Sequence, residues 1–300
     1  MTLTIDKLSS AAANWSIEVT PTGASKVENF AHVLQPQTCV NVTFLPGSDP
    51  ADTIAVASRL NREGMIPIPH IAARSIKDKT HLQDIISALV KEACVSEVLV
   101  IGGGVVKPIG EFDSSIQILK SGILQSNGIL KIGVAGHPEG SPDISNDAVR
   151  QALHEKNELA VKENLQMYIE TQFCFEADMV LKWEKRVRED GNQLPIRIGI
   201  PGPATIKTLF RFAKISGVGP SMRFIAKQAR NVAKLMTVQS PHLLLSGLAE
   251  GMAADRQCLI KHFHYYPFGG FEKTAKYAKA ISDGNVNLLP TDGFEITEAL

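Results

Sequence analysis

Short apolar segments alternate with longer amphipathic ones along most of the chain, and this alternation limits the possible folds more than any other feature. Eight segments rich in β-branched or aromatic residues are predicted to be strands: WSIEVTP (15–21), CVNVTFLP (39–46), IPIPHIAA (66–73), EVLVIGGG (97–104), LKIGVAGHP (130–138), YIETQFCF (168–175), IRIGIPG (196–202) and KHFHYYPF (261–268). Strands that alternate with helices pair in parallel. We therefore predict an α/β fold in which residues 1–300 form a single (β/α)8 TIM barrel domain.

Helical periodicity fills most of the intervals between these strands. The predicted helices are 52–63, 80–94, 113–126, 147–164, 177–190 and 204–216. The interval 217–260 is less regular and is predicted to hold two helices, PSMRFIAKQARNVAKLM and HLLLSGLAEGMAADRQCLI, before the last strand. A doubly wound sheet is the alternative architecture for this order of elements.

The composition argues against several classes of protein. Lys plus Arg and Asp plus Glu each number 31, so the chain lacks the basic character of a nucleic-acid-binding protein. No two of the four cysteines form a C-x-x-C pair, which argues against a zinc ribbon or a disulfide framework. The N-terminus lacks the pattern of a signal peptide, and no apolar run reaches about 18 residues. We expect a cytoplasmic protein with a small-molecule partner and no contact with nucleic acid or membrane.

The active site of a TIM barrel lies at the C-terminal ends of its strands. Several polar or glycine residues fall at those ends: Glu18, Thr43, His70, Gly102 to Gly104, His137 with Glu139, Gln172, and His264 with Tyr265. We expect them to meet at one mouth of the barrel.

Two of these side chains suggest chemistry by themselves. Glu18 lies between Ile17 and Val19, and burial favours the protonated carboxyl that a general acid needs at neutral pH. A carboxylate paired with a buried Lys or Arg is the equally weighted alternative. Gln172 ends an apolar strand, and a buried amide without partners costs roughly 1–3 kcal/mol. Gln172 therefore has either a structural partner or a ligand.

The remaining motifs are less specific. The segment VIGGGVVKPIG has Lys107 where the third glycine of a dinucleotide-binding loop belongs, so its glycines indicate either a tight turn or close approach of a planar ligand. The loop VAGHPEGSPD, which contains His137, suits a cofactor, although an ordinary surface histidine is the more common case. His262 and His264 share one side of a strand, but no carboxylate motif accompanies them, and we predict no metal.

The order of these motifs resembles the methylenetetrahydrofolate reductase family over about residues 14–275. The resembling segments are SIEVTP, NVTF, PHIAAR, VLVIGGG, IGVAGHPEGSPD, TQFCFEADMVLKW and HFHYYPF, with the strongest matches at VAGHPE and TQFCFEAD. The first strand shares only Ser16, Glu18 and Pro21 with the family pattern S-F-E-F-F-P-P.

The resemblance implies a flavin-dependent oxidoreductase of one-carbon metabolism, on the route to methionine. Its reaction would interconvert 5,10-methylenetetrahydrofolate and 5-methyltetrahydrofolate by hydride transfer through non-covalently bound FAD. NAD(P)H as an electron partner and a homo-oligomeric state both stay open.

The resemblance also implies roles for individual residues. Glu18 would be the proton donor to N5 of the folate, and Gln172 would hold the pterin, so the flavin and folate sites would lie at the C-terminal ends of the strands. Tyr265 falls near the end of the last strand at the same mouth, and we expect it to be a further substrate contact. The implied FAD contacts are Thr43, His70, Gly102, Gly103, Gly104, Ala135, His137 and Lys156.

Two positions depart from the family pattern. The family has R-G-D where this chain has Gly102 to Gly104, so the aspartate that can stabilise a cationic iminium intermediate is missing. Gly270 falls near the place of an arginine that contacts the folate in the family. Two alternative functions therefore stay open: a pterin-binding barrel methyltransferase without flavin, and a non-catalytic folate- or flavin-binding protein.

Overall fold

Eight parallel strands close into a barrel in a computed structural model that describes residues 2–141, 144–215, 236–290 and 293–298. The barrel strands are β1 (Trp15–Val19), β2 (Cys39–Val42), β3 (Ile66–Ala72), β4 (Glu97–Ile101), β5 (Lys131–Gly136), β6 (Gln166–Phe173), β7 (Ile196–Pro201) and β10 (Ile260–Tyr266). Their order around the barrel is β1-β10-β7-β6-β5-β4-β3-β2. The predicted (β/α)8 architecture is confirmed, and the doubly wound alternative is wrong.

Four short strands form two antiparallel pairs that are separate from the barrel sheet. These pairs are β8 (Ala204–Thr205) with β9 (Val238–Gln239), and β11 (Val286–Leu289) with β12 (Gly293–Ile296). None of the four was predicted as a strand from the sequence.

Helices follow most of the barrel strands. The described α-helices are Ile5–Ala12, Pro21–Ala24, Pro50–Arg62, Lys79–Ala93, Ser115–Lys120, Ile123–Ser126, Asn146–Lys162, Ala177–Glu189, Ile206–Ile215, His242–Ala254 and Phe271–Ser282, with short 3-10 helices at Phe30–His32 and Ala73–Ser75. None of the helices in the described part of the chain is long and apolar enough to cross a membrane.

Most of the predicted helices are present, with two qualifications. The predicted helix 113–126 is split because Gly122 has a positive φ of 76°, a left-handed conformation that interrupts a right-handed helix. Of the two helices predicted in 217–260, the second contains the helix His242–Ala254, whereas the first, at 220–236, lies almost entirely outside the described residues.

Polar side chains fix the beginnings of several helices. Asp49 precedes Pro50, and its carboxylate accepts a 2.9 Å hydrogen bond from the amide of Ala51. Asp78 accepts a 2.8 Å hydrogen bond from the amide of His81 in the same way. Each carboxylate satisfies an amide that has no partner inside the helix, and each is favoured by the positive end of the helix dipole.

The chain divides into two compact units. The first unit comprises residues 1–15, 136–154 and 170–300, and the second comprises 16–135 and 155–169. The prediction of a single domain stays a prediction.

The second unit contains the consecutive strands β1 to β5 in parallel register. Glu18 pairs with Asn41 and Asn41 with Ile68, so these three side chains lie next to one another on the same face of the sheet. Aliphatic residues fill the opposite face: Ile17, Val40, Val42, Val98, Val100, Ile132 and Val134 are all completely buried. The strands that carry these polar residues are therefore backed on their other face by a closely packed apolar layer.

The first unit pairs β7 with β10 and has an aromatic cluster at the carboxyl ends of its strands. His262 lies opposite Arg197, His264 opposite Gly199, and Tyr266 opposite Pro201. Phe173 is almost completely buried, and partly buried aromatic rings pack against its cluster: Phe175, Phe212, Tyr266 and Phe268. These rings hold the end of β6 in one position.

Candidate functional site

Glu18 and Thr43 form a polar pair in the second unit. Thr43 follows the last residue of β2, and its hydroxyl donates a 3.1 Å hydrogen bond to Oε2 of Glu18 on β1. Both side chains are partly exposed, so Glu18 is less desolvated than its apolar neighbours in sequence suggest. The structure thus brings together two of the predicted site residues and leaves the carboxyl accessible to a ligand.

His70 is buried beside Asn41 in the same unit. Nδ2 of Asn41 lies 3.4 Å from Nε2 of His70, and because an amide nitrogen only donates, Nε2 is the acceptor. Burial lowers the pKa of His70 from 6.5 to about 4, so the imidazole is neutral at physiological pH. A neutral imidazole that is only 8% exposed offers little surface to a cofactor.

The glycine segment after β4 forms a turn without carboxylates. Gly102 to Gly104 follow the last strand residue, Ile101, and the carbonyl of Gly102 accepts a 2.9 Å hydrogen bond from the amide of Arg74. The next carboxylates along the chain have structural contacts: Glu111 accepts from the amide of Lys79 at 2.8 Å, and Asp113 pairs with Arg74 at 3.1 Å. Neither replaces the missing family aspartate in the turn itself.

Lys156 is a buried cation in the second unit. It lies on the helix Asn146–Lys162 and is 7% exposed, and burial lowers its pKa from 10.5 to about 8. Within the described part of the chain the Lys156 ammonium has no ion pair, whereas the neighbouring Glu155 pairs with Lys120 at 3.0 Å. Such a cation is costly unless an anionic group neutralises it.

The other two predicted cofactor contacts lie at the carboxyl end of β5. Ala135 is its penultimate residue and is partly buried. His137 is the first residue after the strand, is also partly buried, and accepts a 3.1 Å hydrogen bond at its carbonyl from the amide of Gly140. Ala135 belongs to the second unit and His137 to the first.

The backbone around Gln172 is held in place by a network within the first unit. The amide of Gly199 donates to Oγ1 of Thr171 at 2.9 Å, and the same hydroxyl donates to the carbonyl of Gln172 at 2.8 Å. The Gln172 carbonyl also accepts from the Cys174 thiol at 3.4 Å. Gly199 allows this approach, because a Cβ at that position would lie only 2.5 Å from the Gln172 carbonyl oxygen.

The side chain of Gln172 is exposed, and no described residue forms a hydrogen bond with its side-chain amide group. The assumption that this amide is buried is therefore wrong. Thr171 and Phe173 on either side are almost completely buried, because successive side chains of a strand point to opposite faces. An exposed amide on a fixed backbone is a suitable hydrogen-bonding group for a ligand.

Tyr265 and Tyr266 point to opposite faces of β10. Tyr265 is completely buried and its ring packs edge-on against Trp15, with 6.0 Å between centroids. Tyr266 is partly exposed, and its hydroxyl donates a 2.9 Å hydrogen bond to the carbonyl of Thr171. Of the two tyrosines only Tyr266 is therefore accessible at the surface, and we do not propose a substrate contact for Tyr265.

Three charged or polar side chains form a buried cluster that was not predicted from the sequence. Oε2 of Glu170 lies 3.8 Å from Nη1 of Arg197 and 3.8 Å from Nδ1 of His264, and all three are at least nine-tenths buried. The alternation that places His262 and His264 on one side of the strand was the only sequence signal for this cluster. No set of three or more His, Cys, Asp or Glu residues suited to a metal occurs within the described ranges.

The fold places this chain in the class of (β/α)8 barrel proteins, whose ligand-binding groups lie at the carboxyl ends of the strands. A sequence model of the methylenetetrahydrofolate reductase family matches residues 5–230. This match extends over more than half of the chain, and the protein belongs to that family.

Two solved structures are similar to this chain. An uncharacterized Clostridium thermocellum protein that binds two copies of 5-methyl-5,6,7,8-tetrahydrofolic acid has a TM-score of 0.53 at 12% identity, with 93% of this chain and 99% of that chain covered. A family GH18 chitinase from Chromobacterium violaceum has a TM-score of 0.46 at 9% identity, with 91% and 83% covered. The first likeness supports the fold, and the second is too weak to carry an argument.

Proposed function

We propose that this protein binds a tetrahydrofolate derivative and interconverts its 5,10-methylene and 5-methyl forms with FAD as cofactor. Family membership supports this reaction class, and the Clostridium thermocellum protein of similar fold binds 5-methyltetrahydrofolic acid. The observation that carries the proposal is Gln172, whose amide is exposed although its backbone is fixed by Thr171, Cys174 and Gly199.

Gln172 has the properties needed to recognise a pterin. A side-chain amide offers both a donor and an acceptor, which matches the alternating donors and acceptors on the edge of a pterin ring. Because its backbone is already ordered, binding would cost little additional conformational entropy. We therefore assign Gln172 to the pterin, as the family resemblance implies.

Glu18 is assigned as the group that exchanges a proton with N5 of the folate. The Thr43 hydroxyl orients its carboxyl, and partial exposure leaves it accessible. A general acid or base must be within hydrogen-bonding reach of the proton that it transfers. General acid–base catalysis typically accelerates a reaction by about 10²–10⁴-fold.

The residues of the second unit fit an anionic cofactor. The buried Lys156 ammonium would be neutralised by a phosphate of FAD, and the backbone at Gly102, where a Cβ would meet no atom within 4 Å, would be open to a planar ring. Thr43 and Ala135 would add contacts within the same unit. His70 is too buried to offer more than a small contact, and His137, which belongs to the first unit, stays a prediction. When bound, FAD would accept or supply the hydride that the one-carbon unit exchanges.

An absorbance spectrum of the purified protein tests cofactor and substrate together. Protein reconstituted with FAD and freed of excess flavin should be yellow, and anaerobic addition of 5-methyltetrahydrofolate should bleach the flavin band. Calorimetric titration with the same folate gives an independent measure of binding.

Each result has one interpretation. Bleaching of the flavin band on addition of the folate would support the proposal. Folate binding without retained flavin would replace it with a flavin-free function such as methyl transfer, and binding of both ligands without bleaching would indicate a non-catalytic protein. Absence of folate binding would contradict the proposal as a whole.

A further inference from the structure

The carboxyl end of β6 is joined to β10 by one side-chain hydrogen bond. Oη of Tyr266 lies 2.9 Å from the carbonyl oxygen of Thr171, the residue immediately before Gln172. The two residues are 95 positions apart in sequence, so this bond fixes the end of β6 by a long-range contact. Thr171 is 1% exposed, which removes competing water from its carbonyl.

The ring of Tyr266 is itself held by aromatic neighbours. Its centroid lies 5.4 Å from that of Phe173 and 5.0 Å from that of His264, both in edge-on geometry. Phe268 is stacked at 6.3 Å on a third side. A side chain packed in this way has few alternative rotamers, so its hydroxyl is presented to Thr171 at a defined place.

The hydroxyl of Thr171 transmits this constraint to Gln172. It accepts from the amide of Gly199 and donates to the carbonyl of Gln172, so this carbonyl is tied through one hydroxyl to the neighbouring strand β7. Tyr266 fixes the preceding carbonyl, Thr171 the following one, and the Gln172 side chain projects from the backbone between them.

We propose that Tyr266 is a positioning residue that sets the direction of the Gln172 amide through the Thr171 carbonyl. This inference rests on the proposed role of Gln172 in binding the pterin. Its effect should appear in folate affinity, because ligand binding then requires an amide that is already correctly placed.

A double-mutant cycle with 5-methyltetrahydrofolate tests this proposal. Tyr266→Phe removes only the hydroxyl and should weaken folate binding by about three- to tenfold. Tyr265→Phe is the matched control, since its hydroxyl is buried without a hydrogen-bond partner among the described residues, and its affinity should equal that of the wild type. In a Gln172→Ala background, Tyr266→Phe should cause no further loss, because the group that it positions is absent.

Three outcomes would overturn the inference. Wild-type affinity in Tyr266→Phe would exclude a positioning effect, and an equal loss in the Gln172→Ala background would indicate direct ligand contact or general damage. Wild-type folate affinity in the Gln172→Ala single variant would contradict the proposed pterin role of Gln172, and with it this inference. Wild-type affinity in Tyr266→Phe only, with a loss in Gln172→Ala, would contradict the inference and leave the pterin role intact.

A second pair of variants covers the case in which Tyr266→Phe does not fold. Thr171→Val removes the hydroxyl at similar volume and should weaken folate binding, whereas Thr171→Ser retains the hydroxyl and should restore it. Equal affinities for the two Thr171 variants would also contradict the proposal.

Discussion

The hydroxyl of Thr43 donates a hydrogen bond to the Glu18 carboxyl across the ends of two neighbouring strands, β1 and β2. The backbone of Thr43 is itself held in place, because its amide donates a 2.9 Å hydrogen bond to the Val19 carbonyl of β1. Its short side chain therefore fixes one oxygen of the Glu18 carboxyl. The Glu18 carboxyl is thereby oriented before any ligand arrives.

Glu18→Gln should leave flavin and folate binding intact and reduce folate turnover by about 10²–10⁴-fold, because the amide keeps the size and much of the hydrogen bonding but cannot transfer the proton. The rate of the folate half-reaction should be measured by stopped-flow absorbance between pH 6 and 9. Glu92→Gln, at an exposed position on the helix Lys79–Ala93, serves as the control. Wild-type turnover in Glu18→Gln across this range would contradict the assigned role.

Gln172→Ala should weaken folate binding by about ten- to a hundredfold, because pterin groups desolvated in the complex would lose their partner at a cost of roughly 1–3 kcal/mol. FAD affinity should change much less. Gln166→Ala provides a matched control, since Gln166 is also exposed but begins β6 at its amino end. Calorimetric titration with each ligand separates the two effects, and an equal loss for both ligands would indicate a structural role instead.

His70 should make the folded protein sensitive to acid. Its pKa in the folded protein is about 4, below the ordinary 6.5, so between these values the unfolded chain binds a proton that the folded chain does not. Stability from this group is complete above pH 6.5 and decreases towards pH 4, by roughly 3 kcal/mol in total. Urea unfolding at pH 7 and pH 4.5 should therefore show a smaller decrease for His70→Asn than for wild type.

The control for His70 is His32→Asn, because His32 is exposed. It should follow the wild-type pH dependence of unfolding free energy. A decrease in His70→Asn as large as in the wild type would show that other groups account for the acid sensitivity.

Lys156→Met should stabilise the ligand-free protein while weakening FAD binding. The pKa of Lys156 in the folded state, about 8, is below the ordinary 10.5, so the buried ammonium costs roughly 3 kcal/mol at pH 7. This cost diminishes as pH rises from 8 to 10.5. The difference in unfolding free energy between Lys156→Met and the wild type, measured with urea, should diminish over the same range. Lys162→Met, on the same helix but exposed, should alter neither stability nor FAD affinity appreciably. A lower unfolding free energy for Lys156→Met at pH 7 would contradict the prediction.

The barrel could be predicted from sequence because each strand has a local signature. Buried strands such as β4 are nearly continuous apolar runs, and the amphipathic segments between them have helical periodicity. The predicted strands extend too far at their carboxyl ends. The hydrogen-bonded part of β2 ends at Val42 and that of β4 at Ile101, but the residues that follow, such as Pro46 and Gly102 to Gly104, are still apolar or small. Hydrophobicity alone therefore does not locate the end of a strand.

The candidate site was less predictable because its geometry depends on contacts between distant segments. Thr171 and Gly199 are 28 positions apart, and Thr171 and Tyr266 are 95 apart, so no local pattern indicates either bond. Which of Tyr265 and Tyr266 is accessible depends only on strand alternation. Tyr266 lies on the same side of β10 as His262 and His264, and Tyr265 lies on the other side. Sequence neighbours also suggested burial for Gln172, although alternation exposes it.

Gly199 has a consequence for how sequences of this fold can diverge. Any side chain there would collide with the main chain of Gln172, and a main-chain obstacle cannot be relieved by a change of rotamer. Position 199 is therefore intolerant of substitution for as long as β6 keeps its present path, whatever residue occupies position 172. The residue at position 172 can change, while the glycine that supports its backbone stays the same.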